Sequence, residues 1–233
     1  MKKIKFAMIA NTFFIMLLLI VSCSKEKIEK CRGNCANIII SGKVWDSSNR
    51  KGLANTTVKI YWQDAGVCYI CPEDVIGTSK TDGEGNFYIN MSIDSSRFHG
   101  NRLHIEAPLP GGYIANGSYN GVLRESIGQY NQSFQNIKFT MYQAAKLNIK
   151  LTRTQTDNYI GFELYYLFDF TRGEIYGYFG PPPSLYTDFN VTAAANVYTK
   201  VSWQKWLSPG VTSTFVDSIK CIVAGPNTIT LNY

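Results

Sequence analysis

The chain has 233 residues, of which 45% are hydrophobic, 14% aromatic and only 17% charged. It is too apolar and too aromatic for a disordered chain, and long enough to bury one large core or two of about 100 residues each without metals or disulfides. The net charge of +6 invites a nucleic-acid reading, but half of that excess is Lys2, Lys3 and Lys5.

Those lysines precede an apolar stretch that is unbroken over 13–21. It falls short of the roughly 20 residues that cross a bilayer. The stretch closes on Ile20-Val21-Ser22-Cys23. This ending resembles a bacterial lipobox, with an aliphatic residue at −3, a small one at −1 and cysteine at +1. The resemblance implies a lipoprotein signal peptide over 1–22, lipidation of Cys23, and an anchored tether over 23–36. Two or more acyl chains at about 0.8 kcal/mol per buried CH₂ hold stably. The alternative is an ordinary secretory leader in which Cys23 is incidental. Cleavage before Cys23 leaves 20 basic against 17 acidic residues, scattered and without a run of five basic ones. No nucleic acid is therefore expected as a partner. Ser24-Lys-Glu-Lys-Ile-Glu-Lys30 is similar to the surface-export signals of Bacteroidetes lipoproteins, though less acidic. It implies a lipid-anchored protein of the cell envelope, at the outer membrane, with the periplasmic and surface faces both open.

The remainder shows short alternating runs broken by turn residues and no heptads, the pattern of an all-β chain. Strands are expected over 38–45, 57–63, 75–80, 86–91, 102–107 and 134–142. Over 86–91, Phe87, Ile89 and Met91 share one face, with Asn86, Tyr88 and Asn90 on the other. Asp82-Gly-Glu-Gly85 supplies a tight hairpin. Ile40-Ser-Gly-Lys-Val-Trp-Asp46, Gly52-Leu-Ala-Asn-Thr-Thr-Val-Lys-Ile60 and Thr81-Asp-Gly-Glu-Gly-Asn-Phe87 follow in order. Together they resemble the carboxypeptidase regulatory-like, transthyretin-like β-sandwich domain, over 37–143. The resemblance implies a fold and a non-catalytic module, and carries over no catalytic residue.

Alternation resumes over 144–233. Phe162, Leu164, Tyr166, Phe168 and Phe170 share one face, with Gly161, Glu163, Tyr165, Leu167 and Asp169 on the other. Val197, Thr199, Val201 and Trp203 alternate with Tyr198, Lys200, Ser202 and Gln204. Strands near 215–223 and 228–233 close the chain, the last pairing inside a sheet. This half reads as a second, immunoglobulin-like β-sandwich. The link at 143–145 lacks proline, glycine or a charge run, so the two sandwiches are expected to pack tightly in line.

Five cysteines remain after Cys23. Cys31-x3-Cys35 and Cys68-x2-Cys71 form disulfides, with three connectivities open, or supply four thiolates to structural zinc. Cys221 is expected to be a buried free thiol. His99 and His104 read as ordinary surface or sheet residues. No nucleophile elbow, zinc-protease helix, phosphate loop or dinucleotide fingerprint occurs, and no spacing pairs carboxylates across a cleft. The chain is not read as an enzyme, and no cofactor is expected.

Aromatic loops are the better lead. Tyr176, Tyr178, Phe179 and Tyr186 surround three stiffening prolines, and Trp206 lies on the opposite strand face from Trp203. Exposed rings of this kind contact sugars or protein partners. A second loop over 111–121 is rich in Gly, Tyr and Asn. The alternative places these rings in cores and ordinary turns. Asp217-Ser218-Ile219 matches a short Bacteroidetes O-glycosylation signal, which makes Ser218 a modification candidate. The expected partners are the membrane, through the lipid, and a glycan or an envelope or host protein. The first reading is a binding or scaffold module engaged in polysaccharide capture; the second is a structural or adhesive surface subunit.

Overall fold

A computed structural model describes residues 27–28, 31–64, 74–118, 120–152, 161–168, 175–176, 188–208 and 211–232. Its strands in chain order are β1 (Lys27–Ile28), β2 (Cys35–Asp46), β3 (Lys51–Gly52), β4 (Thr57–Asp64), β5 (Asp74–Lys80), β6 (Asn86–Asp94), β7 (Asn101–Pro108), β8 (Tyr113–Ile114), β9 (Val122–Ile127), β10 (Ser133–Thr152), β11 (Gly161–Phe168), β12 (Ile175–Tyr176), β13 (Asp188–Ala194), β14 (Tyr198–Ser208), β15 (Val211–Lys220) and β16 (Asn227–Asn232). One turn of 3-10 helix at Ser95–His99 interrupts them. The fold is all-β and sandwich-like, as the alternation indicates.

The first half stacks two sheets. One runs β1-β5-β4-β7-β9; the other is built on β2, which pairs with β6, β3 and the front of β10. Side chains alternate along β6 as expected. Phe87, Ile89, Met91 and Ile93 are buried, whereas Asn86, Tyr88 and Asn90 face solvent. They meet Ile38, Ile40 and Val44 of β2 and Val58, Ile60, Leu103 and Ile105 of the facing sheet in one core. The two glycine-bearing motifs stand together for a steric reason. A Cβ at Gly52 would lie 1.8 Å from the Glu84 carbonyl oxygen, and Gly85 adopts φ +79°. Only glycine permits that approach and that dihedral.

The second half faces the rear of β10, flanked by β13 and β16, with the sheet β12-β11-β14-β15. Its core joins Leu147, Ile149 and Leu151 to Leu164, Tyr166, Val201 and Trp203, with Ile229 and Leu231 from β16. Along β10 the odd-numbered residues Phe139, Met141, Ala145, Leu147, Ile149 and Leu151 are all buried. One face of one strand thus lines both cores.

Four strands differ from their expected bounds or were not foreseen. The strand expected over 134–142 continues to Thr152, because 143–145 contains no breaker and a ladder partner waits on either side. Gln143 pairs with Tyr113, and Ala144 with Ala194. The strand expected near 215–223 is β15, which ends at Lys220. There the Asn227 side chain accepts from the Ile222 N–H and donates to the Ile222 carbonyl, turning the chain away. β9 and β13 lack a strong apolar alternation: Arg124, Glu125 and Ser126 are exposed, and β13 opens Asp-Phe-Asn.

Candidate functional site

The passage of β10 from one sandwich to the other is a built joint. Up to Met141 the strand pairs in parallel with β2; from Ala144 it pairs antiparallel with β13, and from Leu147 in parallel with β16. Ser48, in the turn after β2, sits at the crossing. Its hydroxyl donates to the Ala195 carbonyl at 2.6 Å and accepts from the Gln143 N–H at 2.9 Å. The Ala195 N–H donates to the Gln143 carbonyl at 2.8 Å, and the Asn116 amide donates to the Phe168 carbonyl at 2.6 Å. Beside them Asp46, fully buried, accepts from the Tyr113 hydroxyl at 3.0 Å and from the Asn49 side chain at 2.7 Å. Desolvation, followed by the hydrogen bond to Asp46, raises the Tyr113 hydroxyl pKa. Tyr142, Phe168 and Ala194 fill the seam, with Tyr142 and Phe168 edge to face at 5.6 Å. Both halves supply partners, so bending here breaks hydrogen bonds and opens apolar contacts together.

A second polar group lies on the face of the β4–β7–β9 sheet away from the core. The Tyr61 hydroxyl donates to Glu106 Oε2 at 2.9 Å, and Arg124 Nη2 donates to the same oxygen at 3.0 Å. Tyr61 stacks on His104 at 5.3 Å, and Ser126 Oγ lies 2.9 Å from His104 Nδ1. Burial, with help from the cations Arg124 and Arg102, pushes His104 down to about 4. The imidazole is therefore neutral at physiological pH. Glu106 spends its contacts on Tyr61 and Arg124 and those of His104 go to Ser126, an arrangement that braces a sheet face. Sequence reading missed this network, because its members come from three strands and meet only through register. The alternation of Arg102, His104 and Glu106 on one face of β7 was the available signal.

Cys31 and Cys35 are joined in a disulfide with Cα atoms 5.9 Å apart, so their sulfurs are not thiolate ligands here. Cys68 and Cys71 lie outside the described residues, as do Cys23 and the side chains of Tyr176, Tyr178, Phe179 and Tyr186. Trp206 is half-buried on the outward face of β14, while Trp203 is buried and stacks on Phe215 at 5.4 Å. Cys221 is a buried free thiol whose pKa is raised by desolvation. Ser218 is exposed on β15. Among the described residues β15 pairs with β14 alone, leaving a ten-residue edge that carries Val216 outward. No group of three or more His, Cys, Asp or Glu among the described residues could hold a metal ion.

No family model matches the chain. Transthyretin-like protein 16 of Caenorhabditis elegans is 32% identical over 82 residues, 35% of this chain. The match spans about half, 54%, of that relative's length. Among solved structures, the shaft pilin SpaA from Lactobacillus rhamnosus GG is similar at 11% identity, covering 85% of this chain and 97% of that one, with a TM-score of 0.30. GBS52, the minor pilin of Streptococcus agalactiae, is similar at 8% identity, covering 84% and 94%, with a TM-score of 0.32. The Bacillus anthracis TIE protein is similar at 11% identity, covering 85% and 34%, with a TM-score of 0.32. No residue role is taken from any of them.

Proposed function

We propose that this protein is a non-catalytic structural or adhesive subunit of the cell envelope, held at the outer membrane by a lipid on Cys23 and acting as a rigid spacer. The observation that carries the reading is β10. Twenty residues of strand, bulged once near Asn136, contribute to both cores, and the Ser48 joint fastens the crossing. Relative motion of two domains is the default where their interface is small, and this joint opposes it. The β15 edge, unpaired among the described residues, supports assembly with neighbours, since a strand edge is a template for another strand.

The reading is tested in cells of a lipoprotein-processing bacterium that express the full chain. A clickable palmitate should label the protein and the label should vanish in Cys23→Ser. Cross-linking should trap multimers that Val216→Pro removes, because proline on an edge blocks strand addition. An unlabelled wild type overturns the anchor. A wild type that stays monomeric under cross-linking overturns the assembling subunit.

A further inference from the structure

The outward face of the β6–β2–β10 sheet holds a second feature. An open groove of about 500 Å³ runs across it, lined by Ser41, Lys43, Asn86, Tyr88, Asn136 and Lys138. Register places Ser41 opposite Tyr88, and Lys43 opposite both Asn86 and Lys138. Two residues beyond Lys43, Trp45 is half-buried, and both ammonium groups lie over its ring, Lys43 Nζ at 4.9 Å from the centroid and Lys138 Nζ at 6.0 Å. Neither lysine forms a salt bridge among the described residues. Asp82 feels the charge of Lys43 but spends its hydrogen bonds on its own turn, accepting from the Glu84 and Asn86 N–H groups and the Asn86 amide. Glu125 and Lys138 together line a second cavity. Two like charges are thus gathered over one indole with no carboxylate in salt-bridge contact among the described residues, and beside them the Tyr88 ring stands 56% exposed.

We propose that this groove binds an acidic polysaccharide, with the two ammonium groups taking a sugar carboxylate and the Tyr88 ring taking the face of the adjoining sugar. Charge complementarity selects an anion, and the flat, open trough selects an extended polymer. The exposed ring beside amides and hydroxyls selects a sugar, which offers an apolar face ringed by hydroxyl groups. Two lysines are too few for a phosphate-tracking nucleic-acid footprint. The proposal deepens the adhesive side of the function above by naming what is gripped.

The test is affinity electrophoresis of the full chain through gels containing polygalacturonate, dextran or poly-L-glutamate, at low and raised salt. Polygalacturonate should retard the wild type, less so as salt rises. Tyr88→Ala, and separately Lys43→Gln with Lys138→Gln, should each weaken retention about tenfold. Dextran should not retard the protein, and poly-L-glutamate should do so weakly and regardless of Tyr88. Retention unchanged in both variants, no retention of the wild type, or stronger retention by dextran overturns the proposal. Poly-L-glutamate binding with the same dependence on Tyr88 also overturns it, in favour of an acidic protein partner. Should the double variant lose its native near-ultraviolet circular dichroism, Tyr88→Ala, at an exposed ring, decides alone. A protein that is lipidated and assembles but ignores polygalacturonate sinks this inference and spares the spacer. One that binds polygalacturonate but is neither lipidated nor assembled does the reverse.

Discussion

The two sandwiches bury their polar groups in different ways. In the first, Tyr61, Glu106 and Arg124 satisfy one another on the face away from the core, Ser126 meets His104, and Thr81 joins Thr56 to Leu53. In the second, the Trp203 indole N–H has no hydrogen-bond partner among the described residues, and Lys205 is buried with its ammonium 6.0 Å from the Phe215 ring. Beside its apolar packing and the Trp203–Phe215 stack, the second half ties the Gln204 amide to Glu163 at 3.1 Å. The first half thus carries an ion-paired cluster and a histidine with a depressed pKa, which substitution and acid can address directly. Perturbing ionised groups should separate the halves, and perturbing the joint should reveal how strongly they are coupled.

The largest separation is expected from Glu106→Ala. It leaves the buried Tyr61 hydroxyl and the partly exposed Arg124 without their shared acceptor. Because Arg124 is a third exposed and keeps Gln63 as an acceptor, the cost is about 1.5–3 kcal/mol, most of it from the buried Tyr61 hydroxyl. Chemical denaturation followed by near-ultraviolet circular dichroism should show the first half melting early and the second nearly unmoved. A single, jointly shifted transition would mean that the joint couples the halves more tightly than their cores differ.

Acid should do the same more gently. His104 has a folded pKa depressed to about 4 from an unfolded 6.5, so the unfolded chain binds the proton first. The stabilisation is complete above about pH 6.5 and is lost as pH falls toward 4, by about 1–3 kcal/mol at most. His104→Asn should flatten the melting curve over that window. Asp82 and Asp94, both held below the usual carboxylate range by side-chain and backbone hydrogen bonds, act only at lower pH. A wild type whose first transition does not move between pH 7 and 4.5 would remove His104 from the account.

These contrasts show what was legible in the chain. Period-two alternation alone placed β6, β11 and β14, because each shows one face to a core and the other to water. The hairpin at Asp82 was legible because turn chemistry is local. The Tyr61–His104–Ser126 contact was not, since it joins three strands whose register depends on the whole sheet. Nor was the length of β10: a missing breaker permits a strand to continue, but only neighbours on both sides make it do so. The lysine groove hid for the same reason, since Lys43 and Lys138 are separated by most of the first half in sequence and meet only through the parallel ladder.

The joint itself can be loosened in two steps. Ser48→Ala removes the acceptor of the Gln143 N–H and the donor to the Ala195 carbonyl, a cost of about 1–3 kcal/mol where neither group regains water. Its distinctive consequence should be lost coupling: the two melting transitions move apart, and small-angle scattering of the full chain broadens. Tyr113→Phe is the finer probe. Asp46 keeps its bonds from Asn49 at 3.1 and 2.7 Å, so the carboxylate stays satisfied and only one hydrogen bond disappears. The expected loss is about 0.5–1.5 kcal/mol. Because the ring still packs against the first core, the scattering profile should remain that of the wild type. If Tyr113→Phe broadened the profile as much as Ser48→Ala, stiffness would reside in the Asp46 pocket, and the Ser48 crossing would be an ordinary turn contact.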